Sequence, residues 1–303
     1  MIIQPQIIRK TTQWTRPSDW LPISHLVTDG EEKIVGLYAV WDASGIAQGF
    51  NNYCALNISG NYTVDWGDGT VDNVASEVNA EHEYSYASIS DSTICSRGYK
   101  QVIITIMPQN GSHISDINLS KKHSAFVSFY SSSNWLDIKL SGTNISRILF
   151  WDVSKLLWLE KFVAYQTSNA CTNMISMFAY CTSLQSLNLS SFNTAAVTNM
   201  TQMFAYCTSL QSVDLSQTTL SAVTNNLNII ANCYSMSTCR LPQIGYTFTV
   251  ASSKLDASAL NDLFIDLRDL TSTASQTITI TGCPGAATCN QSIATAKNWV
   301  IIN

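Results

Sequence analysis

Charge is scarce in this 303-residue chain: Asp, Glu, Lys and Arg make up 12%, about half the usual share. A formal net charge of −5 leaves no basic surface for a general nucleic-acid binder. No apolar run approaches a membrane span. The opening MIIQPQIIRKTTQW places Arg9 and Lys10 after only a few apolar residues, so it is not expected to act as a secretory signal. No CxxC pair occurs and no histidine lies beside a cysteine at zinc spacing, so no metal is assigned. A nucleophile elbow, a P-loop and a dinucleotide fingerprint are also missing. A glycosidase carboxylate pair needs no local signature. Between Lys161 and Arg240, however, the single charged residue is Asp214. That stretch cannot supply two catalytic carboxylates, and no catalytic residue or cofactor is expected.

Serine, threonine, asparagine and glutamine take the place of the charge, and much of this polar content is repeated. MFAYCTSLQSLNLSSFNTAAVTNMTQ, from residue 177, is followed by MFAYCTSLQSVDLSQTTLSAVTNNLN and then by IIANC. Repetition at a fixed period signals a solenoid rather than a catalytic site. Leu184, Leu187 and Leu189 become Leu210, Val213 and Leu215, then Met236, Cys239 and Leu241, the inward pattern of one short strand per coil. Adjacent parallel strands are expected at 184–189, 210–215 and 236–241. Val197, Met200, Met203, Phe204 and Cys207 read as a helical stripe on the return path. Cys181, Cys207 and Cys233 recur at equal positions and are expected to be stacked, reduced core residues. The odd total of nine cysteines agrees with a reducing site of synthesis.

Less regular copies of the three-then-two spacing, at Ile114, Trp135, Ile145 and Leu159, extend the solenoid back to about residue 111. Both ends of such a stack need closing. At the C-terminus, Leu260, Leu263, Phe264 and Leu267 predict a helix within 256–270, followed by a strand at 277–281, a second helix within 285–299 and a last strand. At the N-terminal side, YTVDWGDGTVDNV predicts a tight hairpin around Gly67-Asp68-Gly69, and residues 34–41 and 99–107 are further strands. The expected fold is therefore mainly β: an N-terminal antiparallel β-sandwich (34–110), a leucine-rich-repeat α/β solenoid (111–250) and an α/β C-terminal cap (251–303). An extended arm, 1–33, precedes them.

Three sets of residues are candidates for function. Ser186, Asn188, Ser190, Ser212, Asp214 and Ser216 alternate with the inward apolar residues and form a neutral hydrogen-bonding ribbon for carbohydrate or protein, with simple solvation as the alternative. Asp65, Asp68 and Asp72 offer oxygens for a hard cation, against the commoner use of Asp to cap its own turn. His82 between Glu81 and Glu83 is read as packed or hydrogen-bonded rather than as an acid-base group. Trp14, Arg16 and Trp20 belong to a proline-interrupted segment without a period, and the tryptophans need a partner, another subunit or the chain's own sandwich.

The VDWGDGT hairpin, with Glu81-His82-Glu83-Tyr84 and a strand to Met107, resembles a polycystic-kidney-disease-type (PKD-like) sandwich domain. The MFAYCTSLQSLNLSSFNTAAVTNM repeat is similar to the BspA-like leucine-rich family, found in bacterial surface proteins and phage virion proteins. TITITGCPGAATCNQSIATAKNW and WTRPSDWLPI resemble the closing and opening segments of phage structural proteins that carry such repeats. Without a signal, sorting tail or lipobox, the resemblance implies a non-enzymatic virion protein made in the host cytoplasm. It would be displayed as tail fibre or capsid decoration, oligomeric in the particle, and not inserted in a membrane. Its implied partners are other virion proteins, held through the arm, and a host-surface glycan or protein. A bacterial surface adhesin is the alternative.

Overall fold

The computed structural model describes residues 14–42, 52–125, 131–150, 154–166 and 170–303. The chain is mainly β with few helices and contains a β-solenoid of about six turns. Its largest sheet has seven strands. In spatial order these are β13 (Ser186–Phe192), β12 (Lys161–Gln166), β9 (Trp135–Ser141), β1 (Lys33–Val40), β6 (Lys100–Pro108), β3 (Tyr62–Asp65) and β4 (Val71–Val74). A second sheet orders β10 (Arg147–Leu149), β7 (Asp116–Asn118), β2 (Tyr53–Ile58) and β5 (Asn79–Glu83). Two-residue strands β8 (Ser131–Ser132) and β11 (Ser154–Lys155) pair in parallel.

The large sheet changes character at its centre. β1 pairs antiparallel with β6 on one side and with β9 on the other, whereas β9, β12 and β13 run parallel. Sheet hydrogen bonding therefore continues across the boundary expected at 110/111, and the two regions share one core. β1 can sit at this junction because KIVGLYAV is apolar on both faces. Ile34, Tyr38 and Val40 point into the main core, while Val35, Leu37 and Ala39 point the other way. Gly36 is required by packing: a Cβ there would lie 2.2 Å from the Trp135 ring.

The outer face of β1 needs a cover, and residues 14–32 provide it. Trp20, Ile23 and Val27 are buried against Val35, Leu37, Ala39 and Leu136, and Trp20 donates from Nε1 to the Tyr99 hydroxyl at 2.8 Å. This corrects the expectation of an extended arm as far as it concerns these residues. The segment is a strap on the chain's own sheet, because leaving Trp20 and the outer face of β1 wet would cost several kcal/mol together, at about 1.5–3 kcal/mol per large side chain. The first part of the expected arm, residues 1–13, lies outside the described residues.

Inside the solenoid the return path is buried as expected, with Val197, Met200, Met203, Phe204 and Cys207 at 0% exposure. It is not a helix. Backbone N–H groups of Met174, Ser176, Phe178 and Tyr180 donate to Asn199, Thr201, Met203 and Ala205 of the next coil, and the pattern repeats from Met200, Gln202, Phe204 and Tyr206 to Asn225, Leu227, Ile229 and Ala231, all at 2.8–2.9 Å. The intervening N–H groups of Met177, Ala179 and Cys181 bond back three residues. Local turns of three residues give the helix-like spacing, but alternate donors are diverted to the neighbouring coil, so no i→i−4 ladder forms.

This alternation holds Ser176, Tyr180, Gln202, Tyr206, Asn228 and Asn232 at φ of 53–63°. Such left-handed conformations are costly away from glycine and are kept by the surrounding bonds. Asn173, Asn199 and Asn225 each accept from the N–H two residues on, through Oδ1. Copies stack at identical positions: Phe178 on Phe204 at 5.5 Å and Tyr180 on Tyr206 at 4.5 Å. Cys207 Sγ donates to the Phe178 carbonyl at 3.1 Å, and Cys233 Sγ to that of Phe204 at 3.0 Å.

On the strand side, β14 (Ser212–Asp214) pairs in parallel with β15 (Thr238–Arg240) in a separate two-stranded sheet. The expected third partner, β13, belongs to the seven-stranded sheet, and no backbone hydrogen bond joins it to β14. Leu187 is accordingly only half-buried, while Phe162 and Val213 on the neighbouring coils are 0% and 1% exposed. Beyond β15, α1 (Ala257–Asp266) buries Leu260, Leu263 and Phe264, with Asp256 capping its N-terminus. Lys297 Nζ donates to the carbonyls of Phe264, Ile265 and Leu267 at its other end. β16 (Phe248–Thr249), β17 (Gln276–Thr279) and β18 (Trp299–Ile302) form a parallel sheet that closes the chain. The second helix is shorter than expected. α2 spans only Ser292–Thr295, the residues before it forming local turns back to Cys283 and Gly285, and Gly285 lies against the start of α1, where a Cβ would be 2.2 Å from the Ala257 nitrogen.

Leu189 is 3% exposed, so Leu189→Asp should destabilise the protein by about 4 kcal/mol or more in chemical denaturation. Leu187→Asp, expected from the repeat to be equally disruptive, should cost clearly less, because its side chain reaches the opening beside β13. All nine cysteines are free, and Cys289 alone is not fully buried. Burial pushes the thiols of Cys181, Cys207 and Cys233 up, the last to about 12. Iodoacetamide at pH 8 should label Cys289 first and the stacked thiols only after denaturation, when mass spectrometry should count nine adducts.

Candidate functional site

The outward positions of the parallel strands form rows across the coils. Lys161 is in register with Asp137 on one side and Ser186 on the other, and Ser212 with Thr238. A second row holds Lys139, Val163 and Asn188, then Asp214 and Arg240. The face thus passes from charged at β9 and β12 to hydroxyl and amide groups at β13, and carries Ser212 beside Asp214 at β14.

All six ribbon residues expected to bind lie on these two strands or at their ends, but not all are free to bind. Asn188 Oδ1 accepts from both the N–H and hydroxyl of Ser190, at 3.0 and 2.8 Å, and Asp214 Oδ1 accepts from the Ser216 N–H at 2.8 Å. The first pair sits within β13, at its bulge, and the second closes the turn that ends β14. Ser216, with a smaller contribution from nearby Arg240, holds the Asp214 carboxyl below the usual range, so it is ionised at neutral pH. Ser186 and Ser212 remain mid-face, and Ser212 Oγ accepts from Thr238 Oγ1 at 2.8 Å.

The strap borders this face. Arg16 Nε donates to Asp137 Oδ2 at 2.7 Å, and its other nitrogens reach the Trp20 and Leu21 carbonyls. Asp137 is 1% exposed, and burial raises its pKa despite Arg16 and Lys161. Trp14 Nε1 donates to Glu160 Oε2 at 3.1 Å; Arg97 pairs with the same carboxylate, and the Trp14 ring meets Trp20 edge-on at 6.3 Å. Trp14, Arg16 and Trp20, expected as a subunit anchor, are therefore engaged within the chain. A partial signal is the buried carboxylates of Asp137, within β9, and Glu160, just before β12, which call for cations and find them in Arg16 and Arg97.

Two clefts open along the strap. One, of about 270 Å³, lies between Ile23, Ser24, Lys139, Lys161, Tyr165 and Ser186. The other, of about 360 Å³, occupies the gap between β13 and β14 and is walled by Trp14. A bulge in β13, where its register with β12 shifts between Val163 and Tyr165, follows directly after the lining residues Gln185, Ser186 and Leu187. Bulges increase local twist and turn a strand away from its next neighbour.

At the far end of the large sheet, the WGDG turn and the His82 segment meet. Asp68 Oδ1 accepts from Thr70, its Oδ2 bonds His82 Nε2 at 2.8 Å, and Asp72 Oδ2 accepts from Trp66 Nε1 at 2.7 Å. His82 stacks on Trp66 at 4.9 Å, and the Tyr84 hydroxyl donates to the Trp66 carbonyl. Asp65 Oδ1 caps Gly67, whose φ of +78° and approach to the Ile103 carbonyl exclude a side chain. Trp66 and Thr70 close the hairpin, with Trp66 N–H donating to the Thr70 carbonyl at 3.1 Å, so Gly67-Asp68-Gly69 is its turn as expected. The three aspartates are spent on the turn, on His82 and on Trp66 rather than converging on one point.

Arg16→Ala should leave Asp137 buried without its closest cation and lower stability by roughly 3 kcal/mol at pH 7. A carboxyl whose pKa is raised in the folded state favours folding at low pH and disfavours it as pH rises through that value. The deficit of the variant relative to the parent should therefore shrink between pH 7 and pH 4, as read by urea denaturation.

A family model described as a Mycoplasma protein of unknown function, DUF285, matches residues 143–240. That stretch runs from β10 through the regular coils to β15 and carries the solenoid wall of the larger cleft and the β12 and β13 part of the smaller one. No curated protein and no solved structure matches the chain.

Proposed function

We propose that this chain is a non-enzymatic bacteriophage virion protein, displayed on the particle as tail fibre or capsid decoration, whose solenoid face makes contacts to a host surface or to other proteins. In this reading the two sheets around β1 are a PKD-like sandwich and the coils are BspA-like leucine-rich repeats. The observation that carries it is the outer face at β13 and β14, where Ser186, Asn188 and Ser212 stand on coils whose return paths are bonded one to the next. A surface on which Asp214 is the one carboxylate of these two strands, already committed to Ser216, suits contact with uncharged partners and offers little for proton transfer. Attachment to other virion subunits is kept, in this reading, with the N-terminal segment 1–33, whose residues 14–32 also strap the chain's own sheet.

The match to a family described from Mycoplasma favours a second reading, a bacterial cell-surface adhesin built on the same coils. Mass spectrometry of purified particles from a phage whose genome encodes the chain separates the two. The protein should be present in the particles, antibodies should label their exterior, and incubation with host polysaccharide should release no reducing ends. Absence from the particles, with labelling of the bacterial envelope instead, overturns the virion reading; release of sugar overturns the non-enzymatic one.

A further inference from the structure

We propose that the cleft between β13 and β14 is a binding site for an uncharged mono- or disaccharide, with Trp14 as its aromatic wall. The inference rests on the display reading only for its biological purpose; the chemistry stands on the cleft itself.

The cleft exists because the strand ladder is interrupted at this one junction of the regular coils while the return-path ladder across the same coils is intact. The coils are thus pinned on one side and parted on the other. The opening exposes part of Leu187, an apolar patch whose counterparts on neighbouring coils are covered. Around it stand Ser186, Gln211, Ser212 and Thr238, all neutral hydrogen-bonding groups, with Asp214 as the one charged side chain. Trp14 is fixed by its bond to Glu160 and its edge contact with Trp20, so it presents an aromatic surface without having to be ordered on binding.

Each class of ligand meets this arrangement differently. An anion finds no cationic side chain in the lining, in contrast to the neighbouring cleft with Lys139 and Lys161. A purely apolar ligand would leave the amide and hydroxyl groups unpaired, at a cost. A pyranose ring carries hydroxyls on its edge and C–H groups on its face, which matches polar walls around Leu187 and Trp14. The volume of about 360 Å³ is at the small end of ligand pockets, which run from roughly 300 to 1,000 Å³. It is short for an extended peptide strand.

The test uses the full chain and calorimetric or NMR titration with maltose, cellobiose and N,N′-diacetylchitobiose, with digalacturonate as the anionic control. At least one neutral disaccharide should bind with a Kd of about 1 mM or better. Trp14→Ala should weaken it about tenfold. Ser212→Trp, which fills the cleft from an exposed position and leaves the core untouched, should abolish it. Tyr206→Ala, on the return face, should change nothing, and protection of the stacked thiols verifies the fold of each variant. The proposal is overturned if no neutral disaccharide binds at about 20 mM, if digalacturonate binds as well as they do, or if Ser212→Trp binds like the parent. A protein found on particles that binds no neutral sugar removes this inference alone; one that binds sugar yet is missing from particles removes the virion reading alone.

Discussion

Every buried coil of this protein must place its backbone N–H and C=O groups somewhere, and the next coil is the nearest partner. The return-path ladder answers that requirement, and most of the regular region follows from it. Bonds running from Met174 through Tyr180 to the coil beyond fix an alternation of local and coil-to-coil donors. That alternation imposes positive φ at Ser176 and Tyr180 and at their copies. Once the backbone is locked at a constant offset, identical side chains are forced over one another. Phenylalanine, tyrosine and cysteine then stack as columns, and a thiol finds the carbonyl of the preceding coil within reach. The repeat in the sequence is the record of a spacing that the backbone demands.

The same logic explains why the molecule does not divide where composition suggests. β1 is apolar on both faces, so it is satisfied only with a layer on each side. The inner layer is the second sheet; the outer layer is the strap. Fixing the strap takes two buried carboxylates, Asp137 and Glu160, which lie on or beside parallel strands yet find their cations in Arg16 and Arg97. Solenoid, antiparallel strands and N-terminal segment are therefore tied by ion pairs as well as by sheet hydrogen bonds. Such pairs contribute modestly to stability when intact, and losing one partner is expensive because the other charge stays buried.

Much of this was legible beforehand, and the parts that were not have identifiable causes. The strands at 34–41 and 99–107, the first C-terminal helix, the inward residues of each coil and the reduced cysteines followed from periodicity, since burial and period are directly coupled. Val197, Met200, Met203, Phe204 and Cys207 were correctly placed in the core but wrongly given a helix. Spacing reports which side faces inward, and successive three-residue turns produce nearly the same spacing as a helix. Trp14, Arg16 and Trp20 were singled out because nothing local explained them. Their partners lie as far as 146 positions away, beyond what any local pattern encodes. The ribbon of serines was visible as alternation, but its internal commitments, Asn188 to Ser190 and Asp214 to Ser216, depend on rotamers, on the bulge in β13 and on the end of β14.

The gap beside β13 is the least predictable feature, since the two repeats that flank it are nearly identical in sequence. Identical sequences would favour an unbroken ladder, and the return path obeys that expectation. The asymmetry comes from the neighbour on the other side. β13 is pulled into the large sheet by β12, with a register shift that β14 does not share. A two-sided solenoid can absorb such a mismatch only by opening one side while the other stays bonded. The opening therefore falls at the junction between the coils that continue the central sheet and those that stack freely toward α1. It is also the place that the strap reaches, because the strap is anchored to Asp137 and Glu160 at the same edge of the sheet. The parted strands leave the cavity and the two carboxylates hold an aromatic wall beside it, on coils whose return paths stay bonded to one another.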